Sequence, residues 1–438
     1  MARTLSRELV SKIGQTVEMS GWLHKKRLLG GLNFITIRDR SGITQTLIDD
    51  KEELEKLRGL QIGTVLTLTG MVIADDRAPG GAELHEVKVT VDVPVTDEPP
   101  IEVDKPISHK SEHLENLFDN RVLNIRNLQE QKIFKIRADL TYYIREFLRS
   151  NEFIEMDTPK LLAGATEGGS EVFKLDYFSQ SATLAQSPQF YKQIMVGAFE
   201  RVFEIGHSYR AEPSATTRHL TELTMLDIEM GFVKDHDEVL DMVGAMTHYV
   251  LKRVYEEHAA DLKSFNAPEL VLSADGKVPR FTIAQIHEMY TKDTKIEITD
   301  LKDLTPDEER WISSYARKNL GTDLVFAVRF PITAAKFYHK VDVEDGTVLW
   351  GDLLFRGLEI STAPLRENNY EKMIEQMTAA GLDVEHPGFK YYLQAFKYGL
   401  PRHGGCGFGV DRLVQKTIGL ANVKEACLFP RDINRLTP

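Results

Sequence analysis

Residues 402–413 read RHGGCGFGVDRL. Glycines at 405, 407 and 409 suggest a nucleotide loop, yet neither common phosphate loop fits. A dinucleotide fingerprint needs G-x-G-x-x-G between a strand and a helix, with an acid roughly 20 residues on. Here that acid would fall near the end of the chain. A Walker loop needs Lys and then Ser or Thr after its last glycine, and Val410 stands there instead. The alternation has a different consequence. Every second residue of a strand faces the same side, so Gly405, Gly407 and Gly409 would leave one face bare for a flat ring to approach the backbone. Arg412 would then sit early in a helix, VDRLVQKTIG, where a guanidinium can stack on a purine or reach a phosphate. A plain strand-to-helix turn eased by glycine accounts for the same letters, so other segments must decide.

The stretch YRAEPSATTRHLTELTMLDIEM (209–230) strengthens the nucleotide reading. Arg210 ends a strand, Glu212 opens a loop, and Arg218 and His219 close it before a strand with Glu222, Asp227 and Glu229. Two cations about a loop suit a polyphosphate, and a carboxylate accepts from an adenine amino group. Upstream, Ile133, Ile136, Leu140, Tyr143, Ile144, Phe147 and Leu148 share one helical face. The strand-like FIEMDTPKL (153–161) follows, with Pro159 near its end, as an edge or interface permits. Further strands are expected at 201–210, 223–232, 323–330 and 352–361, with a long helix over 235–258. Strands with interposed helices predict an α+β domain with a largely antiparallel sheet.

The first 94 residues differ. TVEMSGWLH (16–24), LNFITIRD (32–39), ITQTLID (43–49), TVLTLTGMVIA (64–74) and HEVKVTVDV (85–93) read as strands, and KEELEKLRGL (51–60) as a short helix after the third. That is the element order of an OB-fold barrel, a fold that often binds single-stranded nucleic acid. VPVTDEPPIEVDKP (93–106), with four prolines in fourteen residues, predicts an extended linker. The expected division is 1–94 for the barrel, 95–130 for a linker or hinge, and 131–438 for the second domain.

The 438 residues carry a net charge of -12, against nonspecific nucleic-acid binding by the whole surface. Residues 1–40 are the exception, with eight Lys/Arg against three acids. MARTLSRELVSKIG lacks the apolar run of a secretory signal, and Cys406 and Cys427 are the only cysteines. Both point to the cytoplasm, with no disulfide framework and no membrane.

The helix and strand ending in Pro159, the Arg-x-Glu–loop–Arg-His hairpin, and Gly-x-Gly-x-Gly-x-x-Arg stand in a fixed order that resembles motifs 1, 2 and 3 of the class II aminoacyl-tRNA synthetases. The N-terminal barrel is similar to that of the subclass containing the aspartyl, asparaginyl and lysyl enzymes, and the short length to its archaeal-type aspartyl members. The resemblance implies ATP and Mg2+, an adenylate, transfer of the amino acid to tRNA, and a homodimer built through Pro159 and its helix. It implies that Arg210 holds the α-phosphate, Glu212 reads adenine, Arg218 and His219 hold the outer phosphates, and Arg412 covers the adenine and touches the γ-phosphate. Asp352, Glu359 and Thr362 fall where the family places magnesium ligands, on what reads as one strand.

The amino acid is read from AQSPQFYKQ (185–193) and STAPLREN (361–368). An aspartate side chain wants cations, and Lys192 and Arg366 supply them. The asparaginyl enzymes usually carry an acid at the lysine position, so Lys192 favours L-aspartate. Gln189, Asp227 and His403 match further substrate contacts, and Glu167, in GATEGGSE (164–171), a contact to the α-amino group. The family usually has two glycines and a histidine where Ala363, Pro364 and Asn368 stand, which narrows the cleft.

In the barrel, Phe34, Gln45 and Glu83 match residues that stack on and read anticodon bases. Strictly aspartate-specific archaeal enzymes tend to carry tryptophan at the position of His24 and lysine at that of Pro79. Their absence resembles relaxed enzymes that charge both tRNA(Asp) and tRNA(Asn), leaving an amidotransferase to convert the second product. The competing expectations are an asparaginyl enzyme and a noncatalytic tRNA-binding paralogue.

Overall fold

The structure, a computed structural model, describes residues 2–28, 32–105, 107, 111–163, 171–213 and 216–437. The chain forms two compact units, 1–108 with 119–130 and 109–118 with 131–438. In the first, β1 (Thr16–Leu28), β2 (Asn33–Arg38), β3 (Ile43–Leu47), β4 (Val65–Ala74) and β5 (Ala82–Val93) close a barrel in the order β1-β2-β3-β5-β4. α1 (Lys51–Arg58) lies between β3 and β4 in sequence, and Asp50 caps it by accepting from the Glu52 and Glu53 amides. Period-two alternation fills the interior: Met19, Leu23, Ile35, Ile37, Leu66, Leu68 and Leu84 are fully buried. The expected five-stranded OB barrel is present.

In the second unit a sheet runs in the order Arg280–Thr282, Leu324–Pro331, Thr347–Phe355, Glu359–Pro364, His403–Gly409, Glu222–Gly231, Arg201–Tyr209, Ile154–Glu155. The inner neighbours pair antiparallel and the two outermost pairs parallel. The helices Leu128–Ser150 and His236–Glu257 bury Ile136, Leu140, Ile144, Val243 and Met246 in a core shared with Leu226, Ile228, Met230, Cys406 and Phe408. This is the α+β architecture that the alternation of patterns implied.

Two expected strands need correction. Residues 352–361 are a hairpin, with Arg356 (φ 52°) and Gly357 (φ 76°) turning in the left-handed region. The apolar run hid the turn. It is locked by Arg356, which donates to the Asp323 carboxylate and to the Pro268 and Glu269 carbonyls. The strand expected over 153–161 shortens to Ile154–Glu155, which pairs parallel with Val202–Phe203. Pro159 lies beyond it, outside any strand.

Candidate active site

The glycine stretch is a strand at the centre of the sheet. Gly405, Gly407 and Gly409 stand opposite Glu229, Asp227 and Met225. They are not equivalent. A Cβ on Gly405 would collide with the Ile228 carbonyl oxygen, so glycine there serves strand packing. At Gly407 the nearest atoms to a Cβ would be Met225 Cε at 3.5 Å and Asp227 Oδ1 at 3.9 Å, an ordinary fit. Gly407 and Gly409 line a cavity of about 250 Å³, so the bare floor expected of three glycines belongs to these two. Cys406 points into the core, and burial pushes its thiol up to about 12.

Arg210, Glu212, Arg218, His219, Glu359, Thr362 and Arg412 all line this cavity, together with Gln189, Lys192, Asp227 and Arg366. The cations are held by acids. Arg412 Nη1 donates to the Glu359 carbonyl (2.8 Å) and to Glu359 Oε2 (3.1 Å). Arg210 faces Glu212 at 3.6 Å, and His219 faces the same carboxylate at 3.8 Å. Burial, followed by the nearby arginines, keeps His219 below its usual range despite Glu212. Arg218 pairs with Glu309 at 3.3 Å.

At the other side, Lys192 Nζ donates to Asp227 Oδ1 (2.8 Å) and to the Cys406 carbonyl (2.9 Å), and lies 3.7 Å from Glu229 Oε2. Arg366 clasps Glu229 through Nε (3.0 Å) and Nη2 (3.2 Å), with its guanidinium 5.3 Å from the Tyr338 ring centre. All four charged groups are buried. Burial works against the Glu229 charge, but Arg366 and then Lys192 hold its carboxyl below the ordinary range.

His403, expected as a substrate contact, is not part of the cavity lining. Its ring is fully buried, Nε2 meeting Gln193 Nε2 at 2.9 Å and Nδ1 the Pro401 carbonyl at 2.8 Å. The amide must donate to Nε2, so Nδ1 carries the proton and the ring is neutral. Burial, the largest influence, lowers its pKa accordingly. Gln193 Oε1 in turn accepts from Gln189 and Tyr392, so the network fixes Gln189 at the cavity.

The hairpin changes the reading of the acids. Asp352 stands opposite Thr362, on the strand next to that of Glu359, rather than on one strand with it. Thr362 Oγ1 donates to Glu359 Oε1 at 3.1 Å, and Asp352 Oδ1 is buried without a hydrogen bond. Burial and then Glu359 raise the Asp352 pKa, while Arg412 and Arg210 keep Glu359 low against the cost of its own burial. Among the described residues no cluster of three or more His, Cys, Asp or Glu forms a closed metal site. Glu359 and Thr362 line the cavity and Asp352 lies behind them, outside its lining; this set, with one unsatisfied buried oxygen, fits a hard dication completed by substrate phosphates. Glu167 lies outside the described residues.

The motif reading gave no role to three residues. Glu229 shares the face of Asp227, two residues away, and alternation could have found it. Glu309 and Tyr338 lie outside all three motifs and carried no signal.

On the barrel, Gln45 and Glu83 are register neighbours, joined by Gln45 Nε2 donating to Glu83 Oε2 (2.7 Å); His85 takes the other oxygen (2.7 Å). Phe34 is half-buried and Pro79 exposed. His24 falls at a bulge between Leu23 and Lys25. Burial and then Arg38 lower the His24 pKa.

Comparison with known proteins agrees with this geometry. Residues 113–433 match the family of class II tRNA synthetases (D, K and N), and residues 17–93 the OB-fold nucleic acid binding domain. The chain is 37% identical to the aspartate--tRNA(Asp/Asn) ligase of Deinococcus radiodurans, over 100% of this chain and 99% of that one. It is 38% identical to the aspartate--tRNA(Asp) ligase of Pyrococcus horikoshii, over the whole of both. Among solved structures, asparaginyl-tRNA synthetase from Pyrococcus horikoshii complexed with asparaginyl-adenylate superposes with a TM-score of 0.91 at 30% identity, again over both full chains. Fold, motif geometry and the match over 113–433 agree: the chain belongs to the class II tRNA synthetases of the D, K and N group.

Proposed function

We propose that this protein is an aspartate--tRNA ligase that charges both tRNA(Asp) and tRNA(Asn). The observation that carries the amino acid is the pair of buried cations, Lys192 and Arg366, on either side of Glu229 at the cavity. Each keeps a donor in reserve. Lys192 uses two of its three N–H groups in the bonds above, and Arg366 Nη1 makes no hydrogen bond among the described residues. A side-chain carboxylate can accept from both, whereas an amide would turn its NH2 toward cations. The family uses ATP as the activating substrate, and the relatives' names support aspartate.

In the proposed reaction an oxygen of the aspartate α-carboxylate attacks the α-phosphorus in line. The bond to the bridging oxygen breaks and pyrophosphate leaves with its electron pair. The 3′-hydroxyl of the terminal adenosine of tRNA then attacks the acyl carbon, and AMP departs. Positioning and charge neutralisation carry phosphoryl transfer, and the same is expected here. Arg210 neutralises the α-phosphate, Arg218 and His219 the outer phosphates, and Arg412 lies over adenine on the floor of Gly407 and Gly409 and reaches the γ-phosphate. Glu212 accepts from the adenine amino group, Gln189 and Asp227 orient the amino acid, and Glu167 is assigned its α-amino group. Asp352, Glu359 and Thr362 would hold Mg2+, which supplies charge neutralisation at the outer phosphates.

We assign residues 1–94 to the anticodon, 95–130 to the connection and 131–438 to catalysis. Phe34, Gln45 and Glu83 read the anticodon, and His24 with Pro79 leave its third letter undiscriminated. Exposed Ile154, on the outermost strand of the sheet, and exposed Pro159 and Leu161, beyond it in sequence, support a homodimer. An amidotransferase is the proposed consumer of Asp-tRNA(Asn), and the cytoplasm the proposed compartment. Among the described residues no helix is long and apolar enough to cross a membrane. ATP–pyrophosphate exchange with Asp and with Asn tests the amino acid: Asp-dependent exchange is expected. Exchange driven by Asn would favour the asparaginyl reading that the structural neighbour raises. Charging of both tRNA transcripts tests the relaxed specificity, and no Asp-tRNA(Asn) product would refute it.

A further inference from the structure

Three cations assigned above to ATP phosphates each rest on an acid. Arg210 faces Glu212, Arg412 meets Glu359, and Arg218 meets Glu309. Glu212 and Glu359 have roles toward adenine and the metal. Glu309 has none. It comes from the first turn of the helix Pro306–Tyr315, 91 residues beyond Arg218.

Glu309 is 8% exposed, and burial pushes its carboxyl up to about 7 even with Arg218 beside it, so near neutrality it holds the guanidinium as an acid ionised only in part. Its helix is well anchored. Thr305 and Glu308 form a capping box, Glu308 is bonded to His287 at 2.6 Å, and Ile312 is fully buried. Arg218 sits in a turn with no regular structure. The pair therefore joins a fixed acid to a cation on a long side chain. Arg218 lines the cavity, so the same guanidinium can serve Glu309 or an outer phosphate, and one excludes full use by the other.

We propose that Glu309 is a positioning residue that parks Arg218 while the outer-phosphate subsite is empty, so that ATP gains this cation only in competition with the carboxylate, and pyrophosphate leaves as Glu309 recaptures it. The inference rests on the proposed function, which places Arg218 on the outer phosphates. Its consequence is opposite in sign to ordinary loss of a site residue. Removing the acid tightens the site for molecules that carry the β- and γ-phosphates.

The test uses the full-length protein in exchange and aminoacylation assays. Glu309→Gln is expected to lower KM for ATP about threefold or more, the scale of a partly shielded ion pair. Inhibition by pyrophosphate should strengthen by a similar factor, while KM for aspartate stays unchanged. Glu309→Asp, one methylene shorter, should move ATP and pyrophosphate the same way by less, and carries the test if Glu309→Gln does not fold. In an Arg218→Gln background, Glu309→Gln should change neither value further. A raised KM for ATP, unchanged ATP and pyrophosphate behaviour, or an undiminished effect without Arg218 overturns the inference. If the unmodified protein shows no Asp-dependent exchange, the proposed function itself fails. If it exchanges and Glu309→Gln shifts nothing, only this inference does.

Discussion

Arg366→Lys isolates the planar fork from the charge. Arg366 is 2% exposed and gives Glu229 two parallel bonds, at 3.0 and 3.2 Å, with Tyr338 beneath the guanidinium. A lysine keeps one positive charge opposite Glu229, so the fold should survive. It cannot reproduce both bonds and the ring contact. One charge-assisted bond is worth about 1.5–3 kcal/mol and the ring contact about 0.5–1 kcal/mol, giving roughly 2–4 kcal/mol. If that energy holds the aspartate side chain for attack, kcat/KM for aspartate falls about 30- to 1,000-fold, at 1.36 kcal/mol per decade. ATP–pyrophosphate exchange at varied aspartate and varied ATP reads this directly, with a melting curve to monitor the fold. KM for ATP should hold, because Arg366 contacts none of the residues assigned to phosphates. A fall below about threefold in kcat/KM for aspartate at unchanged melting temperature would refute the reasoning. So would an equal disturbance of ATP.

Four further outcomes are expected. Gly407→Ala should fold normally but raise KM for ATP in exchange, because its Cβ meets only ordinary contacts while filling the floor; Gly405→Ala should lower the melting temperature instead, because its Cβ meets the Ile228 carbonyl. Phe34→Ala should leave exchange untouched and weaken tRNA charging about 5- to 150-fold, the range for one lost base stack, measured as kcat/KM for tRNA. His24→Trp with Pro79→Lys should depress charging of tRNA(Asn) about tenfold relative to tRNA(Asp), the discrimination of one misread base. Burial lowers the His236 pKa from 6.5 to about 4, so the unfolded chain binds the extra proton first and stability falls as pH drops through that window. Between pH 7 and pH 5 the loss is about 2 kcal/mol, and His236→Asn should remove it in denaturant titrations at the two pH values.

The legible parts of this molecule were those where local pattern and tertiary structure agree. The barrel strands alternate cleanly, and the same alternation that buries Met19 and Leu23 sets the register around the closed sheet. Arg210, Lys192, Arg366 and Arg412 were found because each lies in a run of letters with its own chemistry. The hairpin at 356–358 was missed because Asp352–Phe355 and Leu358–Ile360 read as one apolar run. Arg356, at positive φ, is held by partners distant in sequence, among them Asp323, Pro268, Glu269, Tyr255 and Lys416. His403 was assigned to the substrate by its match to the family's motif, and a motif match cannot show a buried partner. Gln193, from a helix 210 residues away, takes its ring. Glu309 was invisible for the same reason, being functional only through a contact 91 residues distant.

The cavity's cations share one design. Five of them, Lys192, Arg210, Arg218, Arg366 and Arg412, crowd a space of about 250 Å³, and without counter-charges they would repel one another and resist desolvation. Each has an acid instead, and the acids fall into two kinds. Asp227 and Glu229 are buried and hold Lys192 and Arg366 in place, with donors in reserve for the substrate. That is preorganisation, in which the substrate adds to the network without dismantling it. Glu212, Glu359 and Glu309 hold the phosphate-side cations through contacts of 3.1–3.6 Å, and a triphosphate must share or displace them. An enzyme that must bind ATP, expel pyrophosphate and then admit tRNA gains from cations that are attractive but never unopposed. Tight amino-acid geometry and exchangeable phosphate contacts are thus separate demands, met within one cavity by differently placed acids.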